Sequence, residues 1–483
     1  MRLKAGTDPD QGRVGNPPRS NPKQGNIPPG PSVQKPSRLL LAVMMSAAIV
    51  GGPSGNLSQA RVAATEDPPG QLKTHKSDAT PKGRWRRFRE ESVVGQQGNE
   101  PYTEEQLEEM RQLEALGYLD GVSPAPHVSG VTIHQSDRTW SGLNLLVSGH
   151  ASEVILMDMN GTVLHKWAYD YRTAFPDKAH RKTTWRRAYL FEGGDLLAIW
   201  AGRAMVRLDK NSQLKWTYEG GPHHDIFVTP DGRIHVLSRK ATVIPEIHKT
   251  QPVIEDFVDV LDENGERISR LSILSCFRNS AYYSPLLETL RERVSYRLAT
   301  DRKYPGDILH TNTLQVLDGS LADISPMYRK GNLLVCLREP GIIAVIDPKN
   351  ETVVWATSGL WRRQHDSTLL ENGRMLIFDN KGNGGFSRVL EFDPFTHEVF
   401  WKFGGEPPNM FHSNTCGAVQ RLQNGNTLMI ESDNGRALEV ARDGTVVWEF
   451  VSPYRAGENN ELIATLYDLV RIPKDWNLEW LEN

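Results

Sequence analysis

The chain has 483 residues and nearly balanced charge, 56 Lys and Arg against 59 Asp and Glu for a formal net charge of −3, which excludes a surface built for nucleic acid or another polyanion. Its cysteines, Cys276, Cys336 and Cys416, are few, widely spaced and odd in number; a cysteine-based zinc site and a disulfide scaffold are excluded, and at least one thiol is free. The 12 Trp, 41 Gly and 30 Pro fit a turn-rich β-protein with a large core.

Residues 1–37 carry Pro, Gly, Asn, Gln and Ser with almost no large apolar side chain, so this leader is expected to be disordered. Lys35 and Arg38 then precede an apolar run at 39–52, too short to span a bilayer comfortably, with small-residue cleavage patterns at Ser58-Gln59-Ala60 and Val62-Ala63-Ala64. Residues 1–64 therefore read as a leader with a secretory signal or an uncleaved signal anchor, a membrane tether through 39–52. Either places the rest of the chain outside the cytoplasm, in a periplasmic or other extracytoplasmic space. Residues 65–125 read as a linker, its basic cluster Arg84–Arg89 solvated, with one helix at 103–116. Thr103 is the cap and Gln106 its partner; Leu107, Met110, Leu113 and Leu116 share a face, and Gly117 stops it.

From 126 to 483 one phrase recurs six times: an apolar strand, an Asp-containing turn, a short strand and a Trp. The copies are 153–167, 204–216, 257–271, 342–355, 388–401 and 437–450, and the third has Ile268 and Leu271 where the others carry Trp. A second phrase, two strands about a Gly turn, precedes the copies at 188–200, 224–237, 312–324, 365–378 and 417–430. Four short antiparallel strands repeated about every 45 residues make propeller blades. The fold class is all-β, a six-bladed β-propeller. The first blade lacks an inner strand of its own; 465–473 resembles the missing phrase and is expected to close the ring. The third blade is expected to carry a helical insertion near 272–305. Ser284 would cap its helix, Pro285 would start it, and Leu286, Leu287, Leu290, Val294 and Leu298 form one stripe. Such a helix would pack on the propeller and roof the channel mouth.

Histidines mark the starts of successive inner strands. His224 and His365 each precede a turn glycine by eight residues, His310 by nine, and His412 sits in an entry loop. In a propeller these positions converge on one mouth of the central channel. A recurrent His can be a structural hydrogen-bond node. Here the neighbours differ: His223-His224-Asp225, His310-Thr311-Asn312, Gln364-His365-Asp366 and His412-Ser413-Asn414. Asn312 shares a strand face with His310, and Arg338 stands where the next strand leaves its turn.

On these motifs residues 130–473 resemble the bacterial arylsulfotransferases, six-bladed propellers that move a sulfuryl group between phenols without a nucleotide donor. The resemblance implies an aryl sulfate donor, a phenolic acceptor, no cofactor, no metal and a transient sulfohistidine. By motif His365 is the nucleophile; His224, His310, Asn312 and Arg338 are its catalytic support; His223, His412 and Asn414 line the substrate site. The chemistry suits these residues, because a loose sulfuryl-transfer state needs position and fixed positive donors and a neutral imidazole is a competent nucleophile near pH 7. Known members carry a folded β-domain before the propeller, which this leader does not resemble. A quinone-dependent propeller dehydrogenase is the poorer reading, given six repeats rather than eight and no adjacent cysteines. The alternative from another class is a non-catalytic or metal-holding extracytoplasmic propeller that serves as a binding module.

Overall fold

Each repeat folds as a four-stranded antiparallel sheet, and six sheets close a ring. The computed structural model describes residues 96–97, 100–114, 120–178, 183–300 and 306–481. The leader, the signal segment and the basic cluster lie outside the described residues. Among the described residues, no helix is long and apolar enough to cross a membrane.

From the channel outward, the first blade is Leu466–Pro473, Gly142–Ser148, Glu153–Met157 and Val163–Ala168, so the chain end does supply its inner strand. The second runs Arg187–Leu190, Leu196–Trp200, Ala204–Leu208 and Leu214–Tyr218. The third runs Pro222–Val228, Ile234–Val243, Pro252–Leu261 and Arg267–Ser272. The fourth runs Thr311–Val316, Leu333–Leu337, Ile342–Asp347 and Thr352–Ser358. The fifth runs His365–Leu369, Met375–Asn383, Phe386–Phe392 and Val399–Gly404. The sixth runs Ala418–Arg421, Thr427–Glu431, Arg436–Val440 and Val446–Val451. Gly130–His134 adds a fifth, outermost strand to the sixth blade. The ring is thus clasped twice, by the chain end inside the first blade and by an early strand outside the last.

The repeated residues have distinct jobs. In the turn between third and fourth strands, Oδ1 of Asp158, Asp209 and Asp262 accepts backbone N–H groups two and four residues on, at 2.8–2.9 Å, which stands in for a backbone turn. The Trp staples neighbouring blades. Nε1 of Trp167, Trp216, Trp401 and Trp448 donates to Gly194, Glu263, Arg442 and Met159 respectively, at 2.9–3.1 Å, each in the next blade round the ring. Between adjacent blades lies an apolar cluster of nearly fully buried side chains.

The slot between the third and fourth blades shows why the third copy lacks its Trp. Two helices, Ile273–Arg278 and Tyr283–Ala299, follow the blade's last strand. Their Ile273, Leu274, Phe277, Leu286, Leu290 and Val294 are buried with Val258 and Val335 from the flanking blades. The insertion therefore wedges between blades. Ser284 is not the cap: Ser272 caps the first helix, accepting from the Ser275 N–H at 3.0 Å, and the second begins at Tyr283 without a side-chain cap. Leu298 leaves the buried stripe and is 40% exposed. The earlier helix spans Glu104–Glu114, with the reciprocal Thr103–Gln106 capping box formed, and buries Met110 and Leu113 against Ala241 and Ile254 of the third blade. Leu116 and Gly117 lie outside the described residues. All three cysteines are free thiols and buried.

Candidate functional site

The inner strands of the third, fourth and fifth blades break register where they enter the channel, between Pro222 and Ile226, Thr311 and Thr313, and His365 and Thr368. His224, His310 and Asp366 there have φ of 53°, 52° and 50°. This left-handed conformation is uncommon for residues with a Cβ, and it marks strain held by the surrounding fold. The bulges re-aim side chains that strict alternation would send to opposite faces. Asp225 and Asp366, each following a channel histidine, reach the next blade's inner strand: Asp225 accepts from the Leu314 N–H at 2.8 Å and Asp366 from the Val419 N–H at 2.7 Å. Both also surround Arg187, which pairs Asp225 at 2.9 Å and Asp468 at 2.8 Å and feels the Asp366 charge.

Above this layer three imidazoles converge. The His224 and His310 rings meet edge to face, 4.8 Å between centroids, and His365 is close enough to both for their charges to interact. Burial, and after it the Arg338 charge, holds His365 well below the ordinary imidazole value, so the ring is neutral at pH 7. Its tautomer follows from geometry. Nδ2 of Asn380 donates to the carbonyls of Ser413 at 2.8 Å and Cys416 at 2.7 Å. Both amide hydrogens are used, so Oδ1 must be what faces His365 Nδ1, 2.7 Å away. Nδ1 therefore carries the proton. Nε2 keeps its lone pair and, among the described residues, is buried without a hydrogen-bond partner.

His310 Nδ1 donates to the Asp307 carboxylate at 2.6 Å. Although burial pushes Asp307 up, the His310 charge and hydrogen bond bring it below the usual carboxylate range. His224 and His223 share one proton between their Nδ1 atoms at 2.6 Å, and burial lowers both. Asn312 spends one N–H on the Gln364 carbonyl at 2.8 Å, fixing the backbone beside His365. Arg338 is buried; its Nη1 bonds Glu339, and its Nε has no partner among the described residues. His412 and Asn414 lie in the sixth blade's half-buried entry loop, on either side of Ser413, whose carbonyl accepts from Asn380 at 2.8 Å. Their N–H groups bond Glu431 at 2.8 Å and Asp433 at 2.6 Å, and the His412 ring faces Phe386.

Sequence reasoning missed four residues here. Arg186 is buried at the start of the second blade's inner strand, and its charge reaches His224 and His365; it precedes Gly194 by eight residues, the spacing that flags His224 and His365. Asn380, Asp307 and Glu339 carry no such periodic signal. Among the described residues, no group of three or more His, Cys, Asp or Glu is arranged to hold a metal ion.

A sequence profile described as Arylsulfotransferase (ASST) matches residues 187–453, more than half of the chain and all eight site residues singled out from the sequence. The chain belongs to the arylsulfotransferase family. No curated protein matches it. Among solved structures, similar chains include a Bacteroides caccae protein of unknown function, 13% identical with TM-score 0.42 over 64% of this chain and 94% of that one. A streptogramin B lyase is 13% identical with TM-score 0.39 over 73% and 95%. Hydrazine synthase of Kuenenia stuttgartiensis is 13% identical with TM-score 0.38 over 68% and 81%.

Proposed function

We propose that this arylsulfotransferase-family chain moves a sulfuryl group from an aryl sulfate to a phenol through a sulfohistidine at His365, with no nucleotide donor. The observation that carries the reading is the buried Nε2 of His365, without a hydrogen-bond partner among the described residues, whose other nitrogen is bound by Asn380. In the first half-reaction Nε2 attacks sulfur. The N–S bond forms, the S–O bond to the aryl group breaks, and its electron pair leaves on the phenolate oxygen. His310, oriented through Nδ1 by the Asp307 carboxylate, gives that oxygen a proton from Nε2. In the second half the acceptor phenol returns a proton to His310, its oxygen attacks sulfur, and the N–S pair goes back to Nε2. Arg338 supplies fixed donors to the sulfuryl oxygens, and His224 and Arg186 add donors from the third and second blades. Export through the apolar segment at 39–52 is part of the same reading.

Incubation with donor and no acceptor tests it. A single added sulfuryl mass should map to the peptide holding Gln364-His365-Asp366, and acceptor should discharge it with ping-pong kinetics. Label on His224, His310 or His412, or none while phenol is released, would sink the assignment.

A further inference from the structure

The helical insertion reaches the site through charge. Arg293 and Arg297 lie four residues apart on the helix Tyr283–Ala299, hence on one face. Both guanidiniums bond Oε2 of Glu339, while Arg338 bonds Oε1. Glu339 is 6% exposed and its N–H donates to the Leu309 carbonyl at 3.1 Å. Burial raises its carboxyl, but Arg338, His310 and Arg297 lower it further, so it is ionised. Arg297 has a second arm: its Nη1 donates at 2.8 Å to the backbone carbonyl of Asp307, whose carboxylate holds His310. The helix itself cannot swing, because Leu286, Leu290 and Val294 are at most 1% exposed between the blades.

An Arg338–Glu339 pair of adjacent residues would leave the carboxylate free to turn about its own side-chain bonds. Two arginines from a rigid helix take one carboxylate oxygen and leave the other aimed at Arg338. One carboxylate among three guanidiniums also leaves positive charge in surplus, so Glu339 orients Arg338 without cancelling it. We propose that Arg293, Arg297 and Glu339 are positioning residues that hold the Arg338 guanidinium toward the sulfuryl oxygens. The insertion is then a buttress of the site, and the inference rests on the roles proposed for Arg338 and His365.

The test is steady-state transfer from a nitrophenyl sulfate to a phenol by the full chain carrying E339Q, R293Q/R297Q, R338K, and R293Q/R297Q combined with R338K. Circular dichroism and Tm establish folding. Misplacement of a transition-state donor should lower kcat about 10- to 100-fold, with donor KM changed far less. The combined variant should be little worse than R338K alone, because both act through one group. R297K, which keeps the charge but not the two-armed bond, should give the same pattern at smaller size should E339Q not fold. Wild-type kcat in folded E339Q or R297K, or losses that multiply with R338K, overturns the inference. H365A separates the two layers. An inactive H365A beside a fully active E339Q refutes the buttress alone, whereas turnover in H365A refutes the nucleophile and the buttress with it.

Discussion

Asn380→Ala removes the acceptor that decides which nitrogen of His365 is protonated. The wild-type amide is fully buried and makes three hydrogen bonds, at 2.7 Å to His365, 2.8 Å to Ser413 and 2.7 Å to Cys416. Truncation takes from the Cys416 carbonyl its Asn380 donor, at about 1–3 kcal/mol, and leaves the Ser413 carbonyl with the Ser387 Oγ donor at 3.2 Å, so folding stability should fall by about 1–4 kcal/mol. The catalytic loss is separate. Without Oδ1, the preference for the Nδ1–H tautomer, worth about 1–1.5 kcal/mol as a neutral hydrogen bond, is gone and the ring can turn. At about 1.4 kcal/mol per tenfold, the donor half-reaction should slow about 10- to 100-fold. The assay is the burst of phenol released without acceptor, read below the variant's Tm. A folded Asn380→Ala protein with a wild-type burst rate would refute the tautomer argument. So would a sulfohistidine linked through Nδ1 in the wild-type protein.

Only the neutral imidazole attacks, and His365 is depressed by burial and then Arg338, so the acid limb of donor kcat/KM should lie below the ordinary imidazole value of about 6.5; Arg338→Gln should move that limb upward as well as slowing the reaction. Asp366 is raised to about 7, chiefly by burial and against the opposing Arg187 charge, from about 3.9 in an unfolded chain. The folded state therefore binds its proton more tightly, and this group makes stability fall as pH rises from about 4 to 7. Asp366→Asn, which still offers an acceptor to Val419, should raise Tm relative to wild type at pH 8 more than at pH 4; the reverse order in a thermal-shift series contradicts the sign. Trp448→Phe removes the 2.9 Å bond to Met159 across the ring closure and should cost about 1–3 kcal/mol in urea unfolding, against about 3–5 for Trp448→Ala. Truncation after Ala464 deletes the first blade's inner strand, Leu466–Pro473, and should give no cooperative unfolding transition.

The fold was legible because each blade repeats one local instruction. An Asp that replaces a backbone turn, a glycine that permits a hairpin and a Trp that staples the next blade act over a few residues, so their spacing appears in the sequence as a period. The closing strand at 465–473 could be read for the same reason. The outer clasp by Gly130–His134 could not, since a short edge strand pairs with residues some three hundred positions away and bears no repeat mark.

The site divides along the same line. His224, His310, His365 and Arg338 could be singled out because strand starts recur and their residue types suit the proposed chemistry. Asn380, Asp307, Glu339 and the helix arginines were not, because each acts through one contact that exists only after blades and insertion have packed. The sequence by itself singled out the histidines that start successive inner strands, His224, His310 and His365. Tertiary structure decided their state: which His365 nitrogen keeps its lone pair, which carboxylate backs His310, and what holds Arg338. The physical reason is that protonation and orientation depend on burial and on partners at 2.6–2.8 Å, distances that only the closed ring imposes on residues far apart in the chain.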